Sequence, residues 1–323
     1  MEGEGIGIVH RQVEVNGIQI HLAEKGEGPP VLLLHGFPEL WYSWRHQIVG
    51  LAARGFRALA PDLRGYGDSS APPDAASYSA FHVVGDLVAL LDALALPQVF
   101  LVGHDWGALI AWYMCLFRPD RVKALVNLSV AFSPFLRRNP NVKLVDYFRS
   151  LYGDDYYVCK FQAPGVIEAT YAHVGTGNVL RGIFSFRGNN PLAQREDASL
   201  FPSWLSEEDI SYYISKFEKS GFSGPVNYYR CLDLNWELGA PWYSAQIKVP
   251  VKFIVGDKDL TYHYPGIQDY LHKGGFQQDV PLLEEVVVME GVGHFINQEK
   301  PHEVTEHIYN FFNKFSLDDA SKL

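Results

Sequence analysis

The chain has 323 residues, 47% of them hydrophobic, and a formal net charge of −10 at pH 7. The length suits one large α/β unit carrying an insertion, and the acidic balance, without a Lys/Arg cluster, argues against a nucleic-acid partner. No apolar run reaches the roughly 20 residues of a membrane span. Cys115, Cys159 and Cys231 lie far apart, with no Cys-x-x-Cys and no His at ligand spacing, so the expectation is a reducing compartment and no metal site.

Met1-Glu2-Gly3-Glu4-Gly5 is acidic and glycine-rich, unlike a signal or transit peptide. Asn16-Gly17 inside Val13 to Leu22 predicts a hairpin. Val31 to Leu34 reads as a buried strand that runs into His35-Gly36-Phe37-Pro38-Glu39. Helical spacing follows from Trp41 to Gly55, then a strand from Phe56 to Ala60. A Pro/Ala/Ser-rich loop precedes a helix from about Phe81 to Leu96. A strand over Gln98–Val102, a helix over Ala108–Phe117 and a strand over Val122–Val130 come next. Strand and helix thus alternate, which predicts a mostly parallel sheet with helices on both faces.

The alternation stops near Ser133. Residues 134–246 are dense in Tyr, Phe and Trp and patterned as helices and loops; strand texture returns over Val249–Gly256 and Glu285–Met289, before a last amphipathic helix from about His302 to Phe315. The expected organisation is a core of residues 1–133 and 247–323 with a helical cap, 134–246, inserted at the strand ends. The sequon Asn127-Leu128-Ser129 falls in a predicted buried strand and is discarded as a glycosylation site.

Gly103-His104-Asp105-Trp106-Gly107 lies at a strand-to-helix junction. Small residues on both sides of the central one permit a sharp turn that presents its side chain above the sheet. This is the nucleophile elbow of the α/β-hydrolase fold, with Asp105 where Ser usually stands. A carboxylate needs no base to become a nucleophile, and it suits attack on an sp³ carbon bearing a leaving group. In this fold the acid and then the base follow the nucleophile along the chain. Asp257 and Asp259, in Gly256-Asp257-Lys258-Asp259, both qualify by spacing as the acid; His294, after the last strand, is the base that would activate water. The His35–Pro38 loop matches an oxyanion loop, with the N–H groups of Phe37 and Trp106 as donors. Glu39 and His104 are secondary candidates for placing the hydrolytic water.

These segments, together with Trp41-Tyr42-Ser43-Trp44-Arg45, Asp62-Leu63-Arg64-Gly65-Tyr66-Gly67-Asp68, Ser203-Trp204-Leu205-Ser206-Glu207-Glu208 and Asn227-Tyr228-Tyr229-Arg230, resemble a plant-type soluble epoxide hydrolase over nearly the whole chain. The resemblance implies hydrolysis of lipophilic epoxides, epoxy fatty acids above all, to vicinal diols without a cofactor. It implies Asp259 as the triad acid and two cap tyrosines, Tyr157 and Tyr229, that hold and protonate the epoxide oxygen. Each has a tyrosine neighbour, Tyr156 and Tyr228, to which the role could shift. The chemistry fits, because a phenol is a competent acid toward the much more basic alkoxide of an opened epoxide.

Two other readings stand beside it. A haloalkane or fluoroacetate dehalogenase also uses an Asp nucleophile, but a halide needs no proton, and the fluoroacetate enzymes carry Arg where Trp106 stands here. A non-enzymatic ligand receptor on the same fold would not need the complete catalytic set. A monomer is expected, a dimer being the alternative. Ser321-Lys322-Leu323 matches the tripeptide read by the peroxisomal import receptor, so the expected address is the peroxisome, with the cytosol as the alternative.

Overall fold

The computed structural model describes residues 7–132, 141–186 and 201–320; the expected cap boundary at 133/134 and the Ser321–Leu323 tail lie outside them. Strands β1 (Val9–Val15) and β2 (Ile18–Lys25) pair antiparallel with Val15 opposite Ile18. That register leaves a two-residue turn, and both Asn16 and Gly17 sit at positive φ, as the twist of a tight hairpin requires. Six more strands follow: β3 (Pro30–Leu34), β4 (Arg57–Pro61), β5 (Val99–His104), β6 (Val122–Leu128), β7 (Val251–Gly256) and β8 (Leu283–Met289). They join the hairpin in one sheet of order β1-β2-β4-β3-β5-β6-β7-β8. From β4 to β8 every pairing is parallel, and β2 meets β4 antiparallel.

Between β3 and β4 runs α1 (Arg45–Ala52), preceded by a 3₁₀ turn over Trp41–Trp44 where continuous helix was predicted. Trp41 and Trp44 are both buried there, and the tighter winding turns both indoles inward. Helix α2 (Ala80–Ala93) starts at Ser79, whose Oγ accepts the His82 N–H, and α3 (Trp106–Phe117) follows β5. Strand β6 stops two residues earlier than predicted, because Ser129 turns the chain at φ 71°.

The described part of the insertion is helical: α4 (Leu144–Tyr152), α5 (Tyr157–Lys160), α6 (Val166–Val174), α7 (Thr176–Phe184), α8 (Glu207–Ser220), α9 (Ser223–Arg230) and α10 (Leu232–Leu238). Ser206 and Asp209 form a reciprocal capping box that starts α8. Helices α11 (Ile267–His272) and α12 (Gly275–Asp279) lie between β7 and β8, and α13 (Ile296–Glu299) and α14 (Pro301–Ala320) close the chain.

The central strands β3, β5 and β6 are apolar on both faces, and the alternation sorts them. Leu32, Leu34 and Leu101 pack with α2 and α3 in one cluster. Val31, Leu33, Phe100 and Val102 pack with Ile48 of α1 and Ile308, Phe311 and Phe312 of α14 in the other. Ion pairs tie the insertion to the rest of the fold: Arg45 of α1 to Asp209 at 3.2 Å, and Asp68 of the loop after β4 to Lys216 and Lys219 of α8. Among the described residues no helix is long and apolar enough to cross a membrane.

Candidate active site

Asp105 sits between β5 and α3 at φ 52° and ψ −118°, a conformation that costs energy for a residue with a Cβ. Close packing over-determines it. A Cβ on Gly107 would stand 2.1 Å from the Leu34 carbonyl oxygen, and one on Gly36 would stand 2.3 Å from the Asp105 Cβ. Glycine at both positions lets the His35–Pro38 loop lie against the elbow. The Phe37 N–H then donates to Asp105 Oδ1 at 2.7 Å. The Trp106 N–H is the first of α3 and has no carbonyl ahead of it within the helix.

The imidazole of His294 bridges two carboxylates. Its Nε2 lies 3.3 Å from Asp105 Oδ2 and its Nδ1 3.0 Å from Asp259 Oδ1. Asp259 follows β7, is fully buried, and also accepts the Thr261 N–H at 3.0 Å. Burial pushes the Asp259 carboxyl up, but the charge of His294 and its hydrogen bond outweigh this and hold it at about 2. Burial would likewise lower His294; its two carboxylate partners overcome that and raise it well above an ordinary imidazole. Asp257, the other acid open by spacing, faces away: its Oδ1 accepts the Gly291 N–H at 2.7 Å and its Oδ2 pairs with Lys258 at 2.9 Å. It pins the turn before His294 and does not reach the ring.

Above Asp105 lies a cavity of about 180 Å³. Its walls are largely apolar, from Leu109, Trp112 and Leu116 of α3 to Leu144, Phe148 and Phe161 of the insertion, and among the described residues no Lys or Arg lines it. Roughly 150 Å³ suffices for a benzene ring, so a phenyl-sized group fits without rearrangement. Tyr157 and Tyr229 both face this cavity, with rings 5.8 Å apart. Their neighbours do not. Tyr228 is buried and donates to the Arg64 carbonyl oxygen at 2.9 Å, and Tyr156 is buried behind Tyr157. Burial raises the phenols of Tyr157 and Tyr229 well above their usual range, so both stay protonated acids at neutral pH.

With this geometry in view, the chain was compared with known proteins. Residues 29–156 match the family model for the alpha/beta hydrolase fold. Epoxide hydrolase 3 of Siraitia grosvenorii is 56% identical over 316 residues, 95% of this chain and 99% of that protein. Epoxide hydrolase A of Mycobacterium tuberculosis is 37% identical over 328 residues, 95% of this chain and 98% of that protein. The crystal structure of an epoxide hydrolase from Vigna radiata superimposes with a TM-score of 0.90 at 59% identity, covering 95% of this chain and 98% of that one. The chain belongs to the plant epoxide hydrolases.

In this epoxide hydrolase Glu39 and His104 are fully buried and lie on no solvated loop. Glu39 Oε2 accepts from the Gly36 N–H at 3.0 Å and from His104 Nδ1 at 2.7 Å; His104 Nε2 donates to the His294 carbonyl oxygen at 2.7 Å. They form a bridge from the His35–Pro38 loop, under the elbow, to the loop of His294. Both ring nitrogens of His104 face acceptors, which favours the protonated ring. Burial lowers it, but Glu39 raises it more, and Glu39 in turn is held at about 2 against its own burial.

Sequence reasoning missed Ser129. Its Oγ lies 3.1 Å from His294 Nδ1, and its carbonyl oxygen accepts the Thr261 hydroxyl at 2.8 Å. Its position just past the carboxyl end of a central parallel strand was the available signal. The discarded sequon reading of the same segment stays discarded, since Asn127 is fully buried with its Nδ2 on the Ala108 carbonyl oxygen. Also missed were Tyr264, which lines the cavity, and Gln298, whose Nε2 donates to Glu39 Oε1 at 3.0 Å.

Proposed function

We propose that the enzyme opens lipophilic epoxides to vicinal diols through an ester on Asp105. The observation that carries this reading is the arrangement of Asp105 and the two phenols on one apolar cavity, with His294 beside Asp105. Asp105 Oδ attacks an epoxide carbon, the ring C–O bond breaks, and its electron pair goes to the oxygen, which takes a proton from a cap tyrosine. Esterification removes one of the two negative charges that hold the proton on His294, so the ring passes its proton back to the tyrosinate. The neutral imidazole then takes a proton from water, and the hydroxide attacks the ester carbonyl. The N–H groups of Phe37 and Trp106 stabilise the oxyanion. Collapse returns the carboxylate and the diol, and His294 is again an imidazolium held by Asp259. Each step is carried by groups of the protein and water.

The apolar walls support a lipophilic substrate. They suit the hydrocarbon part of an epoxy fatty acid, the substrate class implied by the family resemblance. A single turnover in ¹⁸O-water tests the reading: the first diol formed carries unlabelled oxygen from the protein. Label in that diol would mean direct attack by water. The Ser321-Lys322-Leu323 tail supports a peroxisomal address. A fluorescent protein fused at the N-terminus is expected in peroxisomes and, after deletion of the three residues, in the cytosol; diffuse fluorescence of the full-length fusion would refute the address.

A further inference from the structure

The mechanism above uses two tyrosines, and the structure brings a third phenol to one of them. Tyr264 Oη lies 3.4 Å from Tyr157 Oη and 3.2 Å from Tyr156 Oη. Tyr264 does not belong to the helical insertion. It follows the 3₁₀ turn Leu260–His263, which begins at the triad acid Asp259. Its ring lines the cavity and packs edge-on against Phe148 of α4, with centroids 6.0 Å apart. The Asp259 segment therefore reaches across the cavity and touches the phenol of α5. Tyr229 has a different setting: it is enclosed by the rings of Trp106 at 5.0 Å, Phe161 at 4.9 Å and Phe37 at 5.5 Å.

We propose that Tyr264 is a positioning residue for epoxide opening: its O–H donates to Tyr157 Oη, so that Tyr157 gives its own proton to the epoxide oxygen and the phenolate left behind is met by a ready donor. The assignment rests on the function proposed above and deepens it, for it makes the two cap tyrosines unequal. Tyr157 releases a proton, while Tyr229 only donates a hydrogen bond. A hydroxyl can donate once. Tyr264 has two phenol oxygens in reach, Tyr156 at 3.2 Å and Tyr157 at 3.4 Å; when its hydrogen goes to Tyr157, the Tyr157 hydrogen is free to point at the substrate. The hydrogen bond also strengthens as the reaction proceeds, because its acceptor changes from a neutral phenol to a phenolate, and bonds to charged acceptors are stronger. Such an interaction lowers the barrier and not merely the energy of the bound state. Burial raises both phenols; within that rise the bond from Tyr264 pulls Tyr157 down and pushes Tyr264 further up, while the neighbouring hydroxyl of Tyr156 pushes Tyr157 up.

Tyr264→Phe keeps the ring and removes the donor, and single-turnover kinetics with styrene oxide on the full chain separates the two chemical steps. The expected result is ester formation on Asp105 slowed roughly fivefold to tenfold, with the rate of ester hydrolysis unchanged. A merely structural role would read differently, because Tyr264 shares a loop with Asp259, and a disturbed loop would slow hydrolysis through His294. A double-mutant cycle adds a second readout. Tyr264→Phe should cost nothing further in a Tyr157→Phe background and its full factor in a Tyr229→Phe background. Unchanged ester formation, equal slowing of both steps, or equal cost in both backgrounds would overturn the assignment while leaving the wild-type ester intact. Absence of any ester on Asp105 in the wild type would overturn the proposed function and this inference with it.

Discussion

Glu39→Gln removes the negative charge from a fully buried ion pair while keeping the shape of the side chain. In the native site Oε2 accepts from the Gly36 N–H and His104 Nδ1, and Oε1 accepts from Gln298 Nε2. The new amide has two ways to lie. With its oxygen at the Oε2 position, its NH₂ meets the NH₂ of Gln298. Gln298 cannot turn round to help, since its own oxygen accepts from Arg45 Nη1 at 3.1 Å and from the Tyr213 hydroxyl at 3.3 Å. With the amide reversed, the Gly36 N–H faces a donor and His104 must give up its Nδ1 proton. Either way a buried donor is left without an acceptor. Breaking a buried pair from one side costs about 3–5 kcal/mol, and loss of the His104 proton relieves part of that, so about 3 kcal/mol is expected. For a chain of this length the thermal midpoint moves roughly 1.5 °C per kcal/mol, which gives a fall of about 4–5 °C by calorimetry at pH 6. The pH dependence has a defined sign. The Glu39 pKa is depressed in the fold, so its contribution is present above the unfolded carboxyl value of about 4.3 and is lost as pH falls toward about 2. The His104 pKa is raised, so its contribution is full below about 6.5 and is lost as pH rises from there through the folded-state value. The difference between wild type and variant is therefore largest between about pH 4.5 and 6.5. A variant within 1 °C of wild type across that window, taking roughly 1 °C as the resolution of the comparison, would refute the bridge as an energetic unit.

Three further outcomes follow from the same geometry. His294→Gln should still form the ester on Asp105 but strand it, so that mass spectrometry finds the protein heavier by one substrate; an unmodified variant with retained turnover would remove His294 from the mechanism. Tyr157→Phe should slow ester formation by roughly a hundredfold and Tyr229→Phe by roughly tenfold, and the double variant should nearly abolish it; unchanged single-turnover rates would place the acid elsewhere. Gly36→Ala puts a methyl group 2.5 Å from Asp105 Oδ1, and the displaced nucleophile should lose roughly a hundredfold or more in ester formation. Wild-type rates there would show that the elbow and the oxyanion loop need not touch.

Much of this enzyme is local in its sequence. The elbow is legible because its chemistry is written in five consecutive residues, and the strands because a sheet covered on both faces demands unbroken apolar runs such as Val31–Leu34. The order nucleophile, acid, base follows from the fold itself. What could not be read locally is whatever depends on direction. Asp257 and Asp259 are two residues apart and equally acidic in composition; only the turn after β7 sends one inward to His294 and the other to Gly291. In the pairs Tyr156/Tyr157 and Tyr228/Tyr229, neighbouring side chains on a helix or its cap point about 100° apart, and the packing of the insertion on the core decides which phenol meets the cavity. The Glu39–His104–Gln298 bridge and the contact of Tyr264 with Tyr157 join residues 65 to 259 and 107 positions apart. No sequence pattern encodes such contacts, because they exist only once the sheet has brought its strand ends, and the insertion above them, to one place.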